Sequence, residues 1–353
     1  METVDWGTEW ITSPLWILGV WVATVIVLGI VVVLLIRLTT WGRQFWRLAG
    51  PFVRPRRGER ATLRPTVFIL VLLLLVVLSV RINLLLSYNT NDLYNALQNL
   101  DSAAFWRALG IFAVLAVISV AESLVTYYIG QSFVIRLWED LNGRFLGDWL
   151  GDRVYHRSRF SATQVDNPDQ RIQEDITSFA QTSYSLSIGP SGAVSALVTI
   201  PSFTIVLWEL SGPLSVFGLE IPRAMTFIAF VYVILATVFA FRIGKPLVRL
   251  NFLNEGLEAF YRYGLVRVRD NAENIAFSRG EPVERRTLDG RFADVIANYW
   301  RIVIRTLKFQ GFNLGVSQVS VVFPIIIQAP RFFARAISLG DVQQTAQAFG
   351  QVT

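Results

Sequence analysis

From Pro14 to Ile36 the chain runs 23 residues without a charge, and no other feature narrows its possible folds so sharply. At 1.5 Å per helical residue the run reaches about 35 Å, enough to cross the roughly 30 Å hydrocarbon core of a bilayer. Lipid offers backbone N–H and C=O groups no partner, so the run must satisfy them internally, which a helix does within one segment. Further apolar runs recur at Val67–Tyr88, Phe105–Leu137, up to Leu210, Pro222–Phe241 and Thr306–Ala329. With 53% hydrophobic and only 16% charged residues, the chain has too little polar surface for an ordinary soluble domain. The pattern predicts an all-α, multi-pass membrane protein.

Charge then orients the spans. Arg37, Arg43, Arg47, Arg54, Arg56, Arg57, Arg60 and Arg64 follow the first run with only Glu59 against them, so the positive-inside rule puts this segment in the cytoplasm and the N-terminus outside. The acidic opening (Glu2, Asp5, Glu9) and the absence of a small-residue cleavage site read as an anchor helix rather than a signal peptide. Asn89–Ser102 carries Asp92 and Asp101 and no basic residue, which suits an outside loop; Trp138–Thr177 is then cytoplasmic by parity. Gly189-Pro190 and Pro201 should kink the fourth span or delay its entry, and Ser211, Gly212, Pro213 and Gly218 turn the chain outside.

Arg242–Lys308 carries 13 basic and 8 acidic residues, too polar for lipid and too long for a featureless loop. Leu250, Leu253, Leu257 and Phe260 recur at helical spacing, so two long helices are expected to project into the cytoplasm. A seventh helix should start near Gly340. The 14 residues from there to Thr353 span about 20 Å, which falls short of the bilayer, so the helix and a cytoplasmic continuation are expected beyond residue 353. The resulting plan is an anchor helix and basic elbow over 1–63, then a transmembrane domain over 64–353 with cytoplasmic segments at 138–177 and 242–308.

Several function classes fall away. A net charge of +6 would suit nucleic acid, but the arginines gather beside hydrophobic runs, where topology accounts for them. There is no cysteine, His156 is the only histidine, and no Gly-x-x-x-x-Gly-Lys-Ser/Thr loop occurs, so no metal centre, catalytic constellation or bound nucleotide is expected of these residues. In the first cytoplasmic segment Asn167 can cap a helix, Pro168 suits its first turn, and Gln170 can reach back to the cap amide, with Asp169 in that same turn. Ile172, Ile176 and Phe179 then make an apolar face, while Arg171 and Asp175 can pair four residues apart.

The segment Asn167–Ile172 resembles the signature of the SbmA/BacA-like transporters and of their relatives, the peroxisomal fatty-acyl ABC half-transporters. Asn271–Glu281, containing Glu273 and Gly280, looks like the EAA-like segment of those proteins, departing from it at Asn274 and Ser278. Trp41–Trp46, Gln328–Phe332 and Ala348–Gly350 resemble further landmarks, closest to a mycobacterial importer branch that takes up cobalamin and hydrophilic antibiotics. The resemblance implies an exporter-type ABC transmembrane domain with six core helices and one extra N-terminal helix, in a homodimer in the bacterial inner membrane. It also implies ATP and Mg bound by an ATPase domain after residue 353, with Asn167, Pro168, Asp169, Gln170, Arg171, Asp175, Glu273 and Gly280 coupling to it. The cargo implied is a peptide, cobalamin or another hydrophilic compound. An ATPase-free, proton-coupled transporter and a very-long-chain fatty-acyl exporter are the alternatives within the same resemblance.

Charged and amide side chains inside the spans add three candidates. Glu122 sits near the middle of the third span, and Arg81 and Asn83 lie toward the outer end of the second. Burying such groups in hydrocarbon costs several kcal/mol unless they find a partner or water. Glu122 is expected to face a cavity, as a wall group or a proton carrier; Arg81 is expected to snorkel or line the same cavity.

Overall fold

The computed structural model describes residues 5–53, 64–157, 171–216 and 219–353. Among these, six helices are long and apolar enough to cross a membrane. α1 (Glu9–Leu38) and α2 (Thr40–Val53) meet at Thr39, whose extended backbone breaks the helix. The Thr39 hydroxyl donates to the Leu35 carbonyl at 2.6 Å and accepts from the Gly42 N–H at 3.0 Å, closing one helix end and opening the next. A Cβ at Gly42 would collide with the Leu35 carbonyl, so the joint needs glycine. α3 (Arg64–Gln98) and α4 (Ser102–Leu150) follow, joined by a turn in which the Asp101 carboxylate accepts from the Ala104 N–H at 3.0 Å.

α4 does not stop at Leu137, where the apolar run ends, but continues thirteen residues to Leu150. Its 49 residues measure about 74 Å, more than twice the hydrocarbon thickness, so the polar stretch after Leu137 begins as a helical extension. A 3₁₀ turn and the short α5 (Val154–Arg157) close it. The chain resumes with one wide turn of π-helix at Arg171–Asp175, then α6 (Ile176–Ser187) and α7 (Ala193–Leu210). The break between them holds Gly189-Pro190, as the sequence predicts, whereas Pro201 is absorbed inside α7. An antiparallel hairpin pairs β1 (Leu214–Val216) with β2 (Leu219–Ile221), where the sequence suggested only a turn.

α8 (Ala224–Asp270), the short α9 (Ala272–Ser278) and α10 (Glu281–Phe333) supply the two long helices expected over 242–308, and α11 (Leu339–Val352) starts within a residue of the position predicted. The chain divides into two compact units, residues 1–210 with 328–352, and residues 211–327 with 353. In the first unit α3 is central: half of its most apolar window is buried within the protein, against 6% for α1. One core joins Leu72, Leu73 and Val76 of α3 to Phe133, Leu137 and Leu141 of α4 and to Ile176, Ala180 and Tyr184 of α6. α4 and α6 approach so closely that a Cβ at Gly130 would overlap the Tyr184 hydroxyl. A second core sets Phe203, Val206 and Leu207 of α7 beside Ala348 and Phe349 of α11 in the buried interior.

In the second unit α8 and α10 run past each other with few close backbone approaches, spanned instead by long side chains. Arg291 donates to the Phe260 carbonyl at 3.0 Å, Asn298 to Leu250 at 3.1 Å, Arg305 to Ile243 at 3.0 Å, and Tyr232 to Val316. Arg267 pairs with Glu284 near the far end. Polar side chains bridge this hairpin along much of its length, which suits a segment that leaves hydrocarbon for water.

Candidate functional site

Three places gather the chemistry-bearing residues, and they are distinct. The first is the tip of the α8–α10 hairpin. α8 is about 70 Å long, so its end stands about 40 Å beyond a 30 Å hydrocarbon core entered at its start. There Asn271 ends α8, its side chain bonding the Arg267 carbonyl at 2.8 Å, and α9 crosses the tip for seven residues. Arg279, left-handed at φ 53°, ends α9, and the Gly280 N–H returns to the Ile275 carbonyl at 2.9 Å, so Gly280 sits in the closing turn before α10. Glu273 is exposed on α9. So is Phe277, at 83%, a large apolar ring uncovered at the tip of the hairpin. The sequence motif included Phe277, but exposure was the signal that singles it out, and exposure is a tertiary property.

The corresponding segment of the first unit is seen in part. Asn167, Pro168, Asp169 and Gln170 lie outside the described residues, as does the predicted pairing of the Arg171 side chain with Asp175. Asp175 itself is exposed at the end of the π turn. The apolar face predicted beside it is realised: Ile176 is in the core, Ile172 and Phe179 pack on it, and the Phe179 ring meets Phe45 of α2 at 5.5 Å. That face ties the segment to the elbow helix.

The second place is the pair of charges in the spans. Arg81 of α3 reaches α1: its Nη2 lies 2.7 Å from the Glu9 carboxylate, its Nε donates to the Ser13 hydroxyl at 3.1 Å, and its guanidinium lies 5.2 Å from the Trp16 ring centroid. Ser13 donates in turn to Glu9 at 2.6 Å, and Trp6 donates to Asp92 at 2.9 Å. The arginine therefore fastens the extra N-terminal helix to the core. It also touches a cavity of about 330 Å³ between α1, α3 and α7. Asn83, two residues on, is exposed on another face of α3. Glu122 is buried, at 8% exposure, and accepts a 2.6 Å bond from Thr126 one turn along α4. The structure does not bring these three side chains into one cluster.

The third place is a buried amide network that sequence reasoning passed over. Ser338 and Asp341 cap α11 reciprocally, at 3.1 and 3.0 Å. The next amides of α11 are met by α3: Leu339 N–H by Gln98 at 2.6 Å and Gly340 N–H by Asn95 at 3.0 Å. Asn91 donates to Asp341 at 3.1 Å and to the buried Gln344 at 2.6 Å. Gln328 donates to Thr345 at 3.3 Å, and Arg331 bridges Gln328 and the Leu210 carbonyl at 3.0 and 3.2 Å. Gln328 and Arg331, quoted in the sequence only as a landmark, thus bind the end of α10 to α7 and α11. Amides and an arginine at the edge of an apolar helix were the available signal.

Among the described residues no group of three or more His, Asp or Glu side chains could hold a metal ion. What remains is a set of membrane-length helices, and within the second unit a helical hairpin longer than a bilayer is thick. The family model for the ABC transporter transmembrane region 2 matches residues 60–333, more than three quarters of the chain. The chain belongs to that family. Its helical membrane architecture, with one short hairpin, is that of an exporter-type ABC transmembrane domain.

Among relatives, an uncharacterized ABC transporter ATP-binding protein of Haemophilus influenzae is 46% identical over 344 residues, covering 98% of this chain and 57% of its own length. The inner membrane ABC transporter ATP-binding protein YddA of Escherichia coli is 31% identical over 293 residues, 81% of this chain and 52% of its own. The human lysosomal cobalamin transporter ABCD4 is 26% identical over 246 residues, 68% of this chain and 38% of its own. This family member spans about half the length of the relatives it matches.

Proposed function

We propose that the chain is the membrane half of an ABC half-transporter that acts as a homodimer in a bacterial inner membrane, with its N-terminus outside. ATP hydrolysis on a joined or separate ATPase domain would drive it. The observation that carries this reading is the α9 tip: an exposed Phe277 and Glu273 on a short crosswise helix, held beyond the membrane by two helices that side chains brace along much of their length. Such an element moves as a rigid body and transmits force only to something it touches. The exposed π turn ending in Asp175 supplies the second contact, together with Asn167, Pro168, Asp169, Gln170 and Arg171. That relatives are named as ATP-binding proteins supports an ATPase as the partner, with ATP and Mg as its ligands.

The cargo we infer is a cobalamin, a peptide or a comparably hydrophilic compound, imported. Support comes from the sequence landmarks and from a relative named as a cobalamin transporter. The test expresses the protein with its ATPase partner in cells lacking their own uptake system and follows labelled cobalamin and a peptide antibiotic. Uptake should rise and should vanish when the ATPase site is inactivated. Accumulation of fatty acyl thioesters with neither hydrophilic compound entering would favour the acyl-exporter reading instead.

Buried Glu122 is the observation that favours a second reading, proton coupling. In that case Glu122→Gln should abolish transport that collapses with the proton gradient, whereas under ATP coupling it should leave gradient-independent transport within about threefold of wild type, since a neutral isostere preserves the acceptor for Thr126.

A further inference from the structure

Beside the first turns of α1 and α4 a groove of about 590 Å³ opens on the surface of the first unit. Leu85 and Leu115, both buried, form its base, and Trp10, Ile111 and Val114 its apolar sides. Gly110 leaves the groove open, because a Cβ there would have nothing within 4 Å. Two ionic groups border it. Glu9 is engaged by Arg81 and Ser13. Arg107 makes no ion pair or hydrogen bond among the described residues, so one unneutralised guanidinium faces an apolar channel.

The depth of these groups matters. Arg107 lies six residues past the Asp101 cap, about 9 Å along α4, within snorkelling reach of the headgroup layer; Leu115 lies about 12 Å deeper, in hydrocarbon. A cation at headgroup depth above an apolar slot complements an amphiphile with an anionic head. We propose that this groove seats one acyl chain of an anionic phospholipid from the adjoining leaflet, its phosphate on Arg107. The inference requires only that α1, α3 and α4 span a bilayer, and it assigns the lipid no part in transport. Bound there, the lipid would fill the space between the extra N-terminal helix and α4 and neutralise the free charge.

Native mass spectrometry of the complete protein, released from detergent and titrated with phosphatidylglycerol or phosphatidylcholine of equal chain length, tests it. Wild type should retain one phosphatidylglycerol per chain in preference to phosphatidylcholine. Arg107→Gln should weaken retention of phosphatidylglycerol about fivefold, the effect of one basic residue near a charged surface, and erase the preference. Arg107→Lys should restore it. Gly110→Leu, which fills the slot, should reduce retention of both lipids alike. Unfolding temperatures measured in the same detergent separate lost binding from lost fold. Wild-type retention in both Arg107→Gln and Gly110→Leu overturns the proposal. So does competition by glycerol 3-phosphate as effective as the whole lipid, which would make the site a phosphate site, or a groove shielded by a second copy of the chain so that only monomers take lipid.

Discussion

At the scale of single residues, close approaches and a charged clamp across helices set what a substitution does. Gly340 opens α11 against α3, and a side chain there would strike the Asn91 carbonyl and both the Asn91 and Asn95 amides. Gly340→Val should therefore lower stability by about 1–3 kcal/mol, read as a fall in the thermal unfolding midpoint in detergent. Gly143, in the exposed extension of α4, has nothing within 4 Å of its missing side chain. There Ala relieves the unfolded-state entropy of glycine, and Gly143→Ala should raise stability by about 0.5–1 kcal/mol in the same assay. If both substitutions moved the midpoint the same way, the close packing assigned to Gly340 would be wrong. Arg81 and Glu9 form a charge-assisted pair between α1 and α3, with Ser13 and Trp16 completing it. Arg81→Ala and Glu9→Gln should each cost about 1.5–3 kcal/mol and together cost clearly less than their sum. Additive losses in a double-mutant cycle would mean the two residues act separately.

Among elements, α9 distinguishes a structural turn from a working contact. Phe277 touches little within the chain, so Phe277→Ala should change unfolding by under about 0.5 kcal/mol, the usual range for an exposed position. If α9 docks on an ATPase domain, the same substitution removes an apolar anchor. Substrate-stimulated ATP hydrolysis and uptake should then fall at least fivefold while basal hydrolysis and expression hold, since coupling free energies run to about 1–3 kcal/mol. Asp175→Ala should act in the same direction from the other contact. Wild-type transport by both variants at matched expression would reduce these segments to helix ends. The α8–α10 arm behind α9 is braced by Arg291, Asn298 and Arg305 donating to backbone carbonyls, and water competes least at the partly buried Asn298 and Arg305 bonds.

The described residues make an odd-numbered set of crossings if α11 belongs to a span, and introduced cysteines can count them because the chain has none. Cysteine at the exposed Asn99, in the α3–α4 turn, should react with an impermeant maleimide added to intact cells, and cysteine at the exposed Ser278 only after permeabilisation. The reverse pattern would invert the arrangement. The sequence by itself determined which segments cross, because an apolar run of bilayer length has only a helix open to it, and charge beside each run biases its orientation. It likewise placed the Gly189-Pro190 break and the start of α11 near Gly340, since backbone restrictions act locally. Tertiary structure decided the rest. That α4 runs to Leu150 and that 214–221 pairs as a hairpin depend on polar stretches whose periodicity is weak in the sequence. That Arg81 clamps α1, that Gln328 and Arg331 hold α7 and α11, and that Phe277 stands in water depend on which side chains distant segments bring near. A hydrophobicity pattern reports how much a residue prefers lipid; a polar side chain inside a span takes its role from its partner, and the partner lies as far as 253 residues away in the chain.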